Sequence, residues 1–168
     1  MDKRIKEIVK RLEMTPHPEG GFYKETYRSS GVIPKDVLKN GFMGERNYCT
    51  AIYFLLTSDN FSAFHKIKQD EIWHYYEGSS LCVHVISLDG KYNKYKVGMG
   101  LDNDELPQLV VPAGCWFASG VKNNNSYSLV GCTVSPGFDF EDFELAKRND
   151  LIQKYPKYEE VITQFTRN

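Results

Sequence analysis

The segment 61–81 reads FSAFHKIKQDEIWHYYEGSSL and places a polar turn between two short runs rich in β-branched and aromatic residues. These runs, 62–67 and 71–77, are predicted to be strands, and together they predict a hairpin. Successive side chains of a strand point to opposite faces, so the pairing decides which residues share a face with His65.

Two registers are open for this hairpin. With a three-residue loop, His65 pairs with Trp73 and shares a face with Glu71. With a two-residue loop, His65 lies opposite His74, and Glu71 moves to the other face. Local charge pairing favours the second register, and the family resemblance described below favours the first.

Outside this segment, residues 20–136 keep the same pattern of short apolar and aromatic runs separated by Gly, Asn, Asp and Pro clusters. Seven further strands are predicted, at 22–28, 50–57, 81–87, 91–97, 109–111, 115–118 and 126–134. Nine short strands without long helices between them favour an all-β sandwich or barrel over a parallel α/β sheet.

The two ends of the chain are predicted to be helical, which makes residues 1–168 a single domain. Residues 1–14 carry apolar positions at helical spacing, and residues 138–168 are predicted to form C-terminal helices after the barrel at 20–136. The acidic run at 139–144 lacks calcium-loop spacing and is interpreted as the start of a helix.

Composition excludes several classes of protein. Hydrophobic residues are 41% and charged residues 26% of the 168 residues, which argues against disorder, and a net charge of −1 argues against nucleic-acid binding. No apolar run approaches the roughly 20 residues of a membrane span, and the charged N-terminus does not resemble a signal peptide. Four dispersed cysteines predict reduced thiols, so we expect a cytoplasmic protein.

Four blocks of the sequence resemble the signature of a small cupin-superfamily family of unknown function (Cupin_5-like). They are HPEGGFYKETYRS (17–29), FHKIKQDEIWHYYEG (64–78), VVPAGCWFAS (110–119) and VGCTVSPGFDFEDFELA (130–146). The resemblance implies a cupin-type jelly-roll β-barrel, a pocket inside the barrel and a homodimer. It implies no substrate.

The two general cupin motifs are only half present. His65 and Glu71 match the first histidine and the glutamate, but Ile67 and Phe117 stand where the other two histidine ligands are customary. Two ligands hold a divalent metal poorly, so no cofactor is predicted.

The alternative is a divalent metal held by His65 and Glu71, with His74 or Glu19 completing the ligands.

The predicted catalytic residues are His65 as a general base, Glu71 as the carboxylate that polarises it and Tyr75 as the acid. This assignment follows the cupin sugar epimerases, which the fold resembles. The predicted ligand contacts are aromatic, charged or polar side chains near the pocket: Glu19, Arg28, Trp73, His74 and Trp116. Arg28 suits a carboxylate or phosphate.

Three functions remain open at this stage. The favoured one is binding of a small polar metabolite, sugar- or carboxylate-containing, with or without metal-independent isomerase or epimerase chemistry. The alternatives are a metal-dependent isomerase or dioxygenase and a non-catalytic binding or storage protein. Whether the chain is an enzyme is open.

Overall fold

The computed structural model describes residues 3–38 and 41–167, so the predicted helical residues Met1, Asp2 and Asn168 lie outside the described residues. Strands form most of the regular structure, as the alternating pattern predicts. They are β1 (Thr15–Pro16), β2 (Phe22–Arg28), β3 (Val32–Ile33), β4 (Arg46–Asn47), β5 (Thr50–Thr57), β6 (Phe61–Lys66), β7 (Asp70–Gly78), β8 (Leu81–Ile86), β9 (Tyr92–Val97), β10 (Glu105–Leu106), β11 (Gln108–Val111), β12 (Trp116–Val121), β13 (Tyr127–Ser135) and β14 (Glu144–Leu145).

Two six-stranded sheets build the barrel. The first sheet has the order β1-β2-β5-β13-β7-β11, and the second has the order β10-β9-β8-β12-β6-β14. Strands β3 and β4 form a separate two-stranded ribbon. The inner faces of the two sheets enclose the main core, in which Phe54 and Trp73 of the first sheet meet Val83 and Phe117 of the second. The predicted all-β jelly-roll fold is therefore confirmed.

The predicted hairpin between β6 and β7 is wrong in both registers, because the two strands lie in different sheets. Strand β6 pairs with β12 and β14, whereas β7 pairs with β13 and β11. The turn between them is a corner that crosses from one sheet to the other. Gln69 is buried at this corner, and its Nε2 donates to Asp142 Oδ2 at 2.7 Å and to the Gly137 carbonyl at 3.3 Å.

Within the described residues, three α-helices cover the outside of the barrel: α1 (Lys3–Arg11), α2 (Arg148–Lys154) and α3 (Glu159–Gln164). Helix α1 packs Ile5 and Ile8 against Leu55 and Leu129 of the first sheet. Helices α2 and α3 cover the outer face of the second sheet, where Trp116 packs with the helical residues. Among the described residues, no helix has the length and apolar character needed to cross a membrane.

The interpretation of residues 139–144 as a helix start is right only for one short turn. They begin with a 3-10 helix, Phe140–Asp142, whose N-terminus is capped by the Asp139 side chain, which accepts from the Glu141 N–H at 2.9 Å; they then enter β14, and the first C-terminal α-helix starts at Arg148. Asp142 does more than complement a helix N-terminus. Its carboxylate is buried and paired with Arg46 at 2.7 Å.

Candidate functional site

The site is a cavity of about 450 Å³ between the inner face of the first sheet and strand β6 of the second. Its floor carries ionisable side chains and its walls are mainly apolar and aromatic. The ionisable or nucleophilic lining residues are His17, Glu19, Glu25, Arg28, His65, Glu71, Cys132 and Asp139. The aromatic lining residues are Tyr23, Phe54, Phe138, Phe140 and Phe143.

The backbone conformation after Glu19 positions this residue at the cavity. Gly20 and Gly21 follow it with φ values of 121° and 75°, which are strained for residues with a side chain. A Cβ on Gly20 would lie 2.1 Å from the Phe61 carbonyl oxygen, so the chain passes close to β6 here. The Glu19 carbonyl accepts from the Ala63 N–H at 2.9 Å, which fixes this segment against β6.

Glu19 and His65 form a buried pair that shares one proton. His65 Nδ1 lies 2.7 Å from the Ala63 carbonyl oxygen, which can only accept, so Nδ1 carries a hydrogen. His65 Nε2 lies 3.0 Å from Glu19 Oε2. That contact needs one further proton, carried either by Glu19 or by Nε2 of a cationic His65. Burial raises the pKa of Glu19 and lowers that of His65, which favours the neutral arrangement with the proton on Glu19.

The second oxygen of Glu19 is also held: Oε1 accepts from the Ser62 hydroxyl at 2.9 Å. The His65 ring packs against Phe117 and Phe143, with ring centroids 4.1 and 5.3 Å apart. The orientation of the Glu19–His65 pair is therefore fixed by hydrogen bonds and by aromatic packing.

His17 lies on the other side of Glu19. Its Nδ1 accepts from the Glu19 backbone N–H at 3.3 Å, which places the hydrogen of the neutral ring on Nε2. Burial lowers the pKa of His17, so the ring is neutral near pH 7. No hydrogen-bond partner for Nε2 is found within residues 3–38 and 41–167, which leaves this N–H available to a ligand.

Glu71 faces the pair from the first sheet. Only 8% of Glu71 is exposed, and burial raises the pKa of its carboxyl from 4.5 to about 7, with Glu19 adding to the rise and His65 opposing it. The Cys132 thiol is its hydrogen-bonding neighbour, and burial raises the pKa of that thiol well above its usual range. Near pH 7, therefore, the Glu71 carboxyl group can gain or lose a proton, and it faces the Glu19–His65 pair, which holds one.

Arg28 lies at the half-exposed mouth of the cavity and is already engaged. Its Nε and Nη2 donate to the two carboxylate oxygens of Glu25 at 3.0 and 2.7 Å. Nη1 donates to Asn47 Oδ1 at 2.8 Å, and Nη2 also reaches the Phe138 carbonyl at 3.2 Å. One of its five N–H groups remains for a ligand, so Arg28 cannot offer the carboxylate or phosphate predicted from sequence two parallel donors in this arrangement.

Residues 137–143 close one side of the cavity with three phenylalanines. Phe140 is 49% exposed and stacks on the His17 ring at a centroid distance of 5.9 Å. The segment is anchored by Asp142, whose two carboxylate oxygens accept from Arg46 Nε and Nη2 at 2.7 and 2.9 Å. It follows a cis peptide bond between Ser135 and Pro136.

Of the site residues predicted from sequence, Glu19, Arg28, His65 and Glu71 line the cavity, whereas the remaining four lie elsewhere. Trp73 is buried in the core against Phe54 and Phe117, at ring distances of 5.9 and 6.4 Å. Its Nε1 has no hydrogen-bond partner among the described residues.

His74 points to the outer face of the first sheet, because strand alternation sends it opposite to Glu71. Its Nε2 contacts Thr133 Oγ1 at 3.0 Å and its Nδ1 contacts Gln108 Nε2 at 3.2 Å. Tyr75 shares the inward face but lies beyond the cavity, where its hydroxyl donates to the Gly78 carbonyl. Trp116 packs under the C-terminal helices, with Lys66 Nζ 4.7 Å from its ring.

Sequence reasoning missed His17 and Cys132 as lining residues. His17 begins the HPEGG block, and its separation by two from Glu19 next to a Gly-Gly turn is a usable signal, since a tight turn brings both side chains to one place. Cys132 gives no such signal, because a buried cysteine in a strand is ordinary core chemistry.

The donor set does not fit a cupin metal centre. Among residues 3–38 and 41–167, no group of three or more His, Cys, Asp or Glu side chains is arranged to hold a metal ion. Of the two residues predicted to complete the ligands, Glu19 lies beside His65 but contacts its Nε2 directly, and His74 lies on the far face of the sheet. That no cofactor is needed stays a prediction.

Comparison with known proteins agrees with this architecture. The uncharacterised protein YML079W of Saccharomyces cerevisiae is 34% identical over 158 residues, which are 89% of this chain and 78% of that protein. The structure of protein SO0799 from Shewanella oneidensis superposes with a TM-score of 0.87 at 38% identity and covers 96% of both chains. A hypothetical protein from Leishmania major gives a TM-score of 0.88 at 36% identity, covering 97% of this chain and 98% of that one.

These relatives carry no described activity, so they bear on fold and family alone. Residues 6–146 match the family described as Cupin superfamily (DUF985), Cupin_5. The match spans all four blocks quoted from the sequence. The chain therefore belongs to the Cupin_5 (DUF985) family of the cupin superfamily.

Proposed function

We propose that this protein binds a small polar metabolite in the barrel cavity and catalyses a metal-independent proton transfer of the isomerase or epimerase type. The observation that carries the proposal is the convergence of Glu71 with the proton-sharing pair Glu19 and His65 in one cavity. Two acid–base groups with different environments, facing one space, are what such a reaction needs.

The roles follow from the proton balance. The ionised Glu71 carboxylate takes a proton from a carbon next to a carbonyl group, and the electron pair moves into the carbonyl to give an enolate. In an epimerisation, the Glu19–His65 pair donates its shared proton to the opposite face of the same carbon, and the proton held by Glu71 then passes to the pair. In an isomerisation, the pair donates that proton to the enolate oxygen and takes one back from the adjacent hydroxyl group, while Glu71 delivers its proton to the former carbonyl carbon. Both sequences end with the pair protonated and Glu71 ionised, so no net proton is gained or lost. Tyr75, the acid predicted from sequence, takes no part, because its hydroxyl is bonded to the Gly78 carbonyl.

The walls support this chemistry by limiting water. His65 is 2% exposed and Glu71 8% exposed, and Phe117 and Phe143 pack on the His65 ring. In such surroundings the positioned groups, rather than bulk water, add and remove the proton at carbon, and their own protons exchange with solvent between turnovers.

The test is solvent deuterium exchange. Purified protein is incubated in D₂O with a panel of hydroxy-carbonyl, sugar and amino metabolites, and NMR follows loss of the C–H signal next to the carbonyl group. We expect exchange of at least one compound, reduced at least 100-fold in Glu71→Gln and in His65→Gln. The matched control Glu160→Gln changes an exposed carboxylate on α3 and leaves exchange unchanged.

Each other outcome has a defined meaning. Binding without exchange would overturn the catalytic part and leave a binding protein. Exchange that persists in Glu71→Gln and His65→Gln would overturn the assignment of both residues. No binding of any compound would overturn the proposal as a whole.

Homodimer formation, which the family resemblance implies, is part of the same proposal. Exposed Tyr27, Tyr76 and Val110 on the first sheet support it, being 54%, 51% and 51% exposed. Light scattering at micromolar concentration tests it, and a mass of 19.4 kDa would contradict it.

A further inference from the structure

The cavity lining is unbalanced in charge. Four carboxyl groups line it, those of Glu19, Glu25, Glu71 and Asp139, against one guanidinium, that of Arg28. Most of the N–H groups of Arg28 donate hydrogen bonds to protein acceptors, including both carboxylate oxygens of Glu25. An anionic ligand would therefore meet a single free N–H of Arg28, whose charge Glu25 already compensates, and several carboxyl groups.

Glu71 is the carboxyl group whose countercharge is missing. It is more than nine-tenths buried and lines the cavity, yet it forms no ion pair with a Lys or Arg among the described residues. Its hydrogen-bonding neighbour is the neutral Cys132 thiol. A buried carboxylate is costly unless a cation or several donors satisfy it, and here the side that faces the cavity is open to one.

The rest of the lining is suited to the apolar part of an organic cation. The rings of His17 and Tyr23 lie 4.7 Å apart, and Phe140 stacks on His17. Phe138 and Phe143 extend the same aromatic wall. Aromatic faces attract ammonium and alkylammonium groups through the ring quadrupole, most strongly where water is excluded.

We infer that the cavity selects a small organic cation, whose ammonium group pairs with Glu71 and whose carbon skeleton lies against the rings of His17, Tyr23 and Phe140. This inference rests on the proposed function and narrows its substrate to amine-bearing metabolites: one oxygen of the Glu71 carboxylate pairs with the ammonium group, and the other remains the base that takes the proton from carbon. It also replaces the carboxylate-containing ligand that Arg28 suggested from sequence.

The experiment uses three probes of one shape. Choline is the cation, 3,3-dimethylbutan-1-ol is its uncharged carbon isostere, and 3,3-dimethylbutanoate is an anion of similar size. Binding to the full chain is measured by NMR titration in phosphate buffer at pH 8, because amine buffers would compete. We expect choline to bind at least tenfold more tightly than the alcohol, and the anion more weakly than either.

Two variants locate the effect. Glu71→Gln is expected to lower choline affinity about tenfold while leaving the affinity for the alcohol unchanged. Glu160→Gln should alter neither. For the wild-type chain, choline affinity should rise from pH 6 to pH 8 as the carboxyl group ionises, and this rise should disappear in Glu71→Gln.

Equal or tighter binding of the alcohol or the anion would overturn the cation assignment, and so would failure of all three probes to bind. Loss of the alcohol's affinity in Glu71→Gln would also overturn it, because a general structural role would then explain the variant. The proposed function is judged separately, by deuterium exchange. Exchange on an uncharged metabolite together with rejection of choline would sink the inference and leave the proposed function standing.

Discussion

Replacement of Glu71 by glutamine tests whether ionisation of this carboxyl group destabilises the folded protein as much as its burial indicates. Burial raises its pKa from 4.5 to about 7. The folded state therefore holds this proton more tightly than the unfolded state, and between pH 4.5 and 7 it binds the larger number of protons. Stability contributed by the protonated group is consequently lost as pH rises through this window.

The size of the effect follows from the same values. A rise from 4.5 to about 7 corresponds to about 3 kcal/mol, which is the cost of ionising the group in the folded state above about pH 8. Glutamine imitates the protonated acid in shape and carries no charge. Glu71→Gln should therefore match the wild type in the free energy of unfolding at pH 4.5. By pH 8.5 it should be the more stable protein by about 3 kcal/mol.

Urea denaturation of both proteins across pH 4.5 to 8.5 measures this difference, and subtraction removes the contributions of other titrating groups. Glu160→Gln, which changes an exposed carboxylate, is the control and should give a flat difference. A flat difference for Glu71→Gln would refute the reasoning, since it would mean that Glu71 ionises in the fold as easily as in the unfolded chain.

Three further outcomes are expected from other parts of the molecule. Asp142→Ala should lower the free energy of unfolding by about 3 kcal/mol, because the buried Arg46 guanidinium loses its two-point partner and, among the described residues, keeps only the exposed Glu141 carboxylate as an ion-pair partner, at 3.2 Å; a loss below 1 kcal/mol in urea denaturation would contradict this. Gly20→Ala should cost about 2 kcal/mol, because the added Cβ would lie 2.1 Å from the Phe61 carbonyl at a φ of 121°, and an unchanged denaturation midpoint would disprove it. Thiol titration of the native protein should find one fast-reacting cysteine, Cys49, since the other three are buried; fast reaction of a second thiol would count against the fold around it.

The sequence was informative about features that depend on neighbouring residues of the chain, such as which side chains of a strand share a face. Side-chain alternation predicts that Glu71, Trp73 and Tyr75 share one face of their strand and that His74 lies on the other, and the structure agrees. Which of the two faces points inward depended on the register, which the sequence left open. The pairing of the strands was not local information. Turn residues at 68–70 are equally compatible with a hairpin and with a corner between two sheets, and only the burial of Gln69 in the folded chain distinguishes them.

The candidate site divides in the same way. His65 and Glu71 could be selected from sequence because their residue types match a motif, and they do line one cavity. Their hydrogen-bonding partners could not be selected from sequence. Glu19 lies 46 residues before His65 in the chain, and its carboxyl group contacts His65 Nε2 only because the Gly20–Gly21 turn runs beside β6. Trp116 was misplaced because an aromatic residue in a strand packs equally well on either face of a sheet covered on both sides.

The corner at Gln69 has a mechanical consequence. His65 and Glu71 belong to opposite sheets, so a molecule that contacts both will cross-link the two halves of the sandwich from within. Ligand binding in the cavity should then slow amide hydrogen exchange along both sheets, and not only at the residues that line the cavity. Conversely, a substitution that loosens the core packing around Trp73 would let the two sheets separate slightly. The distance between His65 and Glu71, over which a proton is transferred, would then change.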